Sequence, residues 1–133
     1  MKTAVTLASG QLGAAIAQQL VQQLGKDQVM GIARTPEKAA QLGIEIREGD
    51  YNHREHFDQA LQGVDVVVIV SGNAHPQARI QQHRNVIEAA KLNVNGRPLV
   101  VGHSFGGYIT LAAVEREGEK LSGAVVIDSA MMK

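Results

Sequence analysis

At 133 residues, with 44% hydrophobic and 20% charged side chains, the chain is long enough for one globular domain with a substantial core. Thirteen basic and thirteen acidic side chains cancel, which removes the electrostatic case for nucleic acid or an anionic membrane as partner and leaves a small molecule at most. The lack of cysteine excludes disulfides, thiol catalysis and thiolate metal sites, and two Tyr, two Phe and no Trp leave little for base stacking.

Thr3 to Leu7 reads as a short strand that meets Ala8-Ser9-Gly10-Gln11-Leu12-Gly13. From Gln11 to Leu24 the residues Leu12, Ile16, Leu20 and Leu24 recur four apart, the mark of one helix face, and Gly25 closes the segment. Val29 to Ala33 is a second strand, Pro36 to Leu42 a short helix and Ile44 to Arg47 a third strand. His53 to Leu61 reads as a helix ended by Gly63. Val64 to Val70 is an apolar run of the kind expected for a central parallel strand. Gln77 to Leu92 is helical, with Ile80, Val86, Ile87 and Ala90 as its buried side, while His83 and Arg84 fall on a half-exposed helix without a role. Leu99 to Val101, Tyr108 to Arg116 and Ala124 to Ile127 complete the alternation as strand, helix and strand.

Six strands alternating with five helices predict an α/β fold over residues 1–133: a three-layer, doubly wound, Rossmann-like parallel sheet of order 3-2-1-4-5-6. The longest unbroken apolar run, Val66 to Val70, is far too short to cross a bilayer, and no signal peptide is visible, so a cytoplasmic location is expected. Oligomeric state is left open. His53 and His56, three apart near Asp50 and Glu55, read as solvated residues at a helix start, and no metal is expected.

Strand, glycine turn and helix at the N-terminus is the arrangement that sets backbone N–H groups and a helix start against a pyrophosphate. With SGQLG, IARTPEKAAQL, REGDY, LQGVD and QHRNVIEAAK in register, residues 2–93 resemble NmrA-like, atypical short-chain dehydrogenase/reductases of the quinone-oxidoreductase type. That resemblance implies Gly10, Gln11, Leu12 and Gly13 at the phosphates and Arg34 facing an adenosine 2′-phosphate. It also implies Asp50 and Tyr51 near the adenine, and Ser71 and Gly72 on the nicotinamide side. Arg34 suits NADP, because a guanidinium complements a dianionic phosphate where NAD calls for an acidic residue.

Leu7 stands where the family pattern G-x-x-G-x-x-G has its first glycine, which predicts loss of the tight turn and weakened NADP binding. The other reading of Gly10 and Gly13 is that they only let the first helix pack closely on the sheet. The substrate half that this family builds after the fifth strand is read as missing, and no Tyr-x-x-x-Lys pair occurs, since Ala112 lies four after Tyr108. No bound cofactor and no substrate reduction are therefore expected.

The segment from Pro98 to Asp128 carries a second signature. Leu99 to Val101, then GHSFGG, a helix-like stretch and VVID resemble the nucleophile elbow of α/β-hydrolases, over residues 96–130. The resemblance implies Ser104 as nucleophile on a strained turn and Phe105 as a backbone oxyanion donor. Asn73, in the Ser71–Pro76 loop, would be a second such donor. His75 is the one plausible base and Asp128 the one plausible acid; no histidine follows Ser104, so the triad reads as incomplete. The two resemblances meet at 93–97. The expected function is accordingly an engineered or recombined scaffold with little or no activity, with a weak serine esterase using Ser104 or an NADP(H)-binding module as alternatives.

Overall fold

The computed structural model describes residues 1–70, 76–93, 99–103 and 123–127. Its strands, short apolar runs except for the charged edge strand β3, are β1 (Thr3–Val5), β2 (Val29–Ala33), β3 (Glu45–Glu48), β4 (Val66–Ile69), β5 (Leu99–His103) and β6 (Gly123–Ile127). Every pairing is parallel. β1 lies between β2 and β4, with Thr3 opposite both Val29 and Val66, and β3 lies outside β2, with Met30 opposite Glu45. Beyond β4 the backbone pairings continue, Val67 opposite Val100 and Leu99 opposite Gly123.

Parallel neighbours require crossover connections. α1 (Gln11–Leu24) links β1 to β2, a 3-10 segment (Pro36–Leu42) links β2 to β3, α2 (Arg54–Ala60) links β3 to β4, and α3 (Pro76–Asn93) follows β4. This is the α/β, Rossmann-like parallel platform that the alternation predicts. The helix at Pro36–Leu42 takes the tighter 3-10 form and stops at Gly43, which adopts a left-handed φ of 67°. Among the described residues no helix is long and apolar enough to cross a membrane.

Because successive strand side chains point to opposite faces, the sheet builds a core on each side. Ala4, Met30, Ile32, Val67 and Ile69 meet Phe57 and Leu61 at α2 and Val86 and Ala90 of α3. On the other face Val5 and Val70 pack with Ala17, Ile16 and Leu20 of α1 and with Leu42 and Ile44. Leu7 packs against both clusters.

Two helix faces differ from the sequence expectation. On α1 the buried residues are Gly13 and Ala17, whereas Leu12 and Leu24 are exposed. The helix approaches the sheet so closely that its contact line takes only small side chains, and the leucines flank that line. On α3, Ile80 is exposed and His83 is buried. The inward stripe is therefore His83, Val86, Ile87 and Ala90, at helical spacing.

His83 Nδ1 lies 2.8 Å from the Arg79 carbonyl oxygen, which can only accept, so Nδ1 carries the proton of the neutral ring. Nε2 is buried with no hydrogen-bond partner among the described residues. Burial holds the imidazole below its ordinary value of 6.5, outweighing the opposing pull of the Arg79 carbonyl. A histidine kept neutral in the fold binds its proton more readily when unfolded. Its contribution is thus full above pH 6.5 and is lost as pH falls towards the depressed value. The urea midpoint is expected to fall between pH 7 and pH 5, and His83→Leu to flatten that fall. An unchanged slope in the variant would place the acid sensitivity elsewhere.

Candidate functional site

After β1 the chain turns through Thr6–Gly10 into α1. The Gly10 N–H donates to the Leu7 carbonyl at 3.0 Å, and the Ala14 N–H donates to the Gly10 carbonyl at 2.9 Å to begin the helix. Leu7 has φ 51°. The expectation that a leucine here abolishes the tight turn is thus corrected: the turn forms, with Leu7 in the left-handed conformation at a cost of about 1–2 kcal/mol. Its side chain, anchored in both cores, offsets that strain.

The two glycines of the turn do different work. A Cβ on Gly13 would stand 2.1 Å from the Leu7 oxygen and 3.0 Å from the Thr6 oxygen, both backbone atoms. A Cβ on Gly10 would stand 3.4 Å from the Leu7 oxygen, an ordinary contact. Gly13 is therefore required for packing, as the close-packing reading holds, and Gly10 is left with no steric reason inside the fold.

Above the turn lies a cleft of about 630 Å³ at the carboxyl edge of the sheet, within the range of ligand sites. Gly10, Gln11, Leu12, Gly13 and Arg34 all line it, so the five residues expected at a dinucleotide share one space. Leu7, Asp50, Asn52, Val70 and Gln82 line it too. Gly10 caps α1 without a side-chain hydrogen bond, and no acidic residue occupies the first turn. The uncapped N–H groups of a fourteen-residue helix therefore favour an anion at this point. Arg34, exposed at the end of β2, has no ion pair among the described residues.

The loop after β3 is pinned by its own polar groups. Asp50 Oδ1 accepts the Asn52 N–H at 2.9 Å, His56 Nδ1 accepts the Asp50 N–H at 3.2 Å, and Asn85 Nδ2 donates to the Tyr51 carbonyl at 2.9 Å. Tyr51 borders the cleft but is otherwise a core residue, 7% exposed, with its ring stacked on Phe57 at 5.6 Å. Its hydroxyl donates to the Val70 carbonyl and meets Thr6 Oγ1 at 2.6 Å, and Thr6 Oγ1 accepts the Val70 N–H at 2.8 Å. Burial pushes the phenol strongly up, against the opposing hydrogen bond from Thr6. Tyr51 thus borders the space in which the resemblance puts an adenine, while its phenol is engaged in bracing the ends of β1 and β4.

Asn52 and Gln82 carry no recognisable motif. Gln82 stands one residue before the buried His83, on the margin of the inward face of α3, and that margin was the one available signal. His53 and His56 stack at 5.0 Å, and among the described residues no group of three or more His, Asp or Glu could hold a metal ion. Ser104, Phe105, His75, Asn73 and Asp128, together with Ser71 and Gly72, lie outside the described residues.

A family model described as NAD(P)H-binding matches residues 8–125 and so spans the 93–97 junction. Quinone oxidoreductase 2 of Escherichia coli is 41% identical over 91 residues, covering 66% of this chain and 32% of the relative. Among solved structures, a triphenylmethane reductase of Citrobacter sp. superposes with a TM-score of 0.82 at 29% identity, over 100% of this chain and 50% of that one. The NADPH-dependent quinone oxidoreductase of Escherichia coli, solved with NADPH, has a TM-score of 0.68 at 35% identity, over 77% of this chain and 37% of that one. The chain thus spans about a third of the length of the curated relative it matches. None of these relatives is an α/β-hydrolase.

The expectation of no cofactor is overturned by the match to an NAD(P)H-binding family model, and the solved quinone oxidoreductase carries NADPH. The physical ground for that expectation, a turn destroyed by Leu7, fails with it.

Proposed function

This chain belongs to the NAD(P)H-binding family, on its NmrA-like, quinone-oxidoreductase side, and from that premise we propose that it holds NADP(H) at the carboxyl edge of its sheet as part of an oxidoreductase. The observation that carries this reading is the shared cleft, in which an uncapped helix start and an unpaired guanidinium line one space. The Gly10–Gly13 backbone takes the pyrophosphate. Arg34 takes the 2′-phosphate through charge-assisted hydrogen bonds, which sets NADP above NAD. The nicotinamide, when bound, supplies the hydride chemistry, and the residues named here bind and orient it.

The full six-stranded sheet of order 3-2-1-4-5-6 belongs to the same reading, supported by the parallel pairings of β5 with β4 and of β6 with β5. No observation on the described residues favours a serine esterase or a recombined chain over this function.

Titration of the protein with NADPH and NADH, followed by nicotinamide fluorescence, tests the proposal. NADPH is expected to bind with Kd below about 1 mM, in the usual range for enzyme ligands, and NADH more weakly. Binding of neither nucleotide would overturn the reading.

Leu7→Gly bears on the same cleft. Relief of the left-handed strain, about 1–2 kcal/mol, is set against loss of a partly buried side chain and the flexibility of glycine, so stability should change by no more than about 1 kcal/mol. Removing the side chain enlarges the phosphate end of the cleft, and NADPH affinity is expected to rise several-fold. A fall in affinity would show that Leu7 makes a favourable contact with the nucleotide.

A further inference from the structure

We infer that Gln82 reads the base of the bound nucleotide, its side-chain oxygen accepting from an exocyclic amine, so that the cleft selects adenine over hypoxanthine. The inference rests on the NADP(H) reading above. Gln82 is 9% exposed and lines the cleft. Its Nε2 donates to Asn52 Oδ1 at 3.3 Å, while its Oε1 is buried with no hydrogen-bond partner among the described residues. A buried acceptor left unmade is costly and uncommon, and one carried by a side chain that lines a ligand cleft has a natural complement in a donor from the ligand.

The surroundings hold the amide ready. The backbone at Asn52 is held, its N–H on Asp50 Oδ1 and the preceding carbonyl on Asn85 Nδ2. Asn52 Oδ1 in turn sets which way the Gln82 amide faces, since the reversed amide would oppose two oxygens. The last torsion of a glutamine is soft, so a small rotation that keeps Nε2 on Asn52 can turn Oε1 towards the cleft when a donor arrives. The carboxamide of Asn52, exposed on the loop, adds a donor. One acceptor and one donor side by side match an adenine edge, where an exocyclic amine adjoins a ring nitrogen. Hypoxanthine presents a carbonyl in place of the amine and would set oxygen against oxygen.

Calorimetric titration of the full chain with NADPH and with its hypoxanthine analogue, deamino-NADPH, reads this directly. The analogue is expected to bind about tenfold more weakly, the loss of one hydrogen bond to a buried group. Gln82→Leu should bring NADPH down towards the level of the analogue without weakening the analogue. Gln82→Glu, which keeps an acceptor, should retain the preference. Equal affinities in the unmodified protein would overturn the inference whether or not a variant folds, and so would a Gln82→Leu loss that is equal for both nucleotides. Binding of neither nucleotide would instead defeat the NADP(H) reading and the inference with it.

Discussion

Gly13→Ala is expected to destabilise the fold by about 3–5 kcal/mol, at the upper end of single-substitution effects. The added methyl would sit 2.1 Å from the Leu7 oxygen and 2.7 Å from the Leu7 carbonyl carbon, and neither is a side-chain end that can swing aside. The helix would have to retreat by about 1 Å, and a close-packed interior yields little to such a shift. That retreat would loosen Ala17, Ile16 and Leu20 from Val5 and Val70. The intrinsic helical advantage of alanine over glycine, about 1 kcal/mol, offsets only part of the loss. Urea unfolding measures the effect, with Gly10→Ala as the control. At Gly10 the methyl makes an ordinary contact at 3.4 Å, so that variant should lose less than about 1 kcal/mol while weakening NADPH binding. Similar stability losses in both variants would mean that the approach of α1 to the turn is looser than described.

Arg34→Ala is expected to weaken NADPH binding by about ten- to thirtyfold and to leave NADH nearly unchanged, which removes the preference between them. The lower part of the range for charged hydrogen bonds applies because the side chain is exposed and screened by solvent and salt. Arg34→Lys should recover part of the loss, since an ammonium supplies the charge without the planar fork. The gap between NADPH and NADH should also narrow as ionic strength rises. Equal loss for both nucleotides would place Arg34 elsewhere than the 2′-phosphate.

Much of the platform is legible in the chain itself. For α1 the apolar spacing and the glycines at both ends agree, and the helix runs from Gln11 to Leu24 as they indicate. β2 coincides with Val29–Ala33 for a similar reason, an apolar run between polar turns. What periodicity does not reveal is which residue of a helix stands nearest the sheet. On α1 that place goes to Gly13 and Ala17, because separation between layers rather than side-chain size decides it. On α3 the stripe shifts from Ile80 to His83, and a buried imidazole satisfied at one nitrogen gives no pattern to follow.

The site is legible where it depends on a known turn and hidden where it depends on conformation. Gly10, Gly13 and Arg34 are recognisable from their places at the ends of β1 and β2. Leu7 is not, since nothing in a leucine announces a left-handed backbone, and only its double anchorage in the two cores accounts for it. Gln82 becomes visible only through the unmade hydrogen bond of its oxygen.

Thr6, Tyr51 and Val70 come from three segments well apart in the chain and satisfy one another without a charged member. The ends of β1 and β4 beside the cleft are consequently preorganised: a nucleotide arriving there would meet them already immobilised, and little of its affinity would be consumed in ordering them. At those strand ends a nucleotide gains contacts without first imposing a shape on the backbone, so differences in affinity there should appear chiefly in the rate of release.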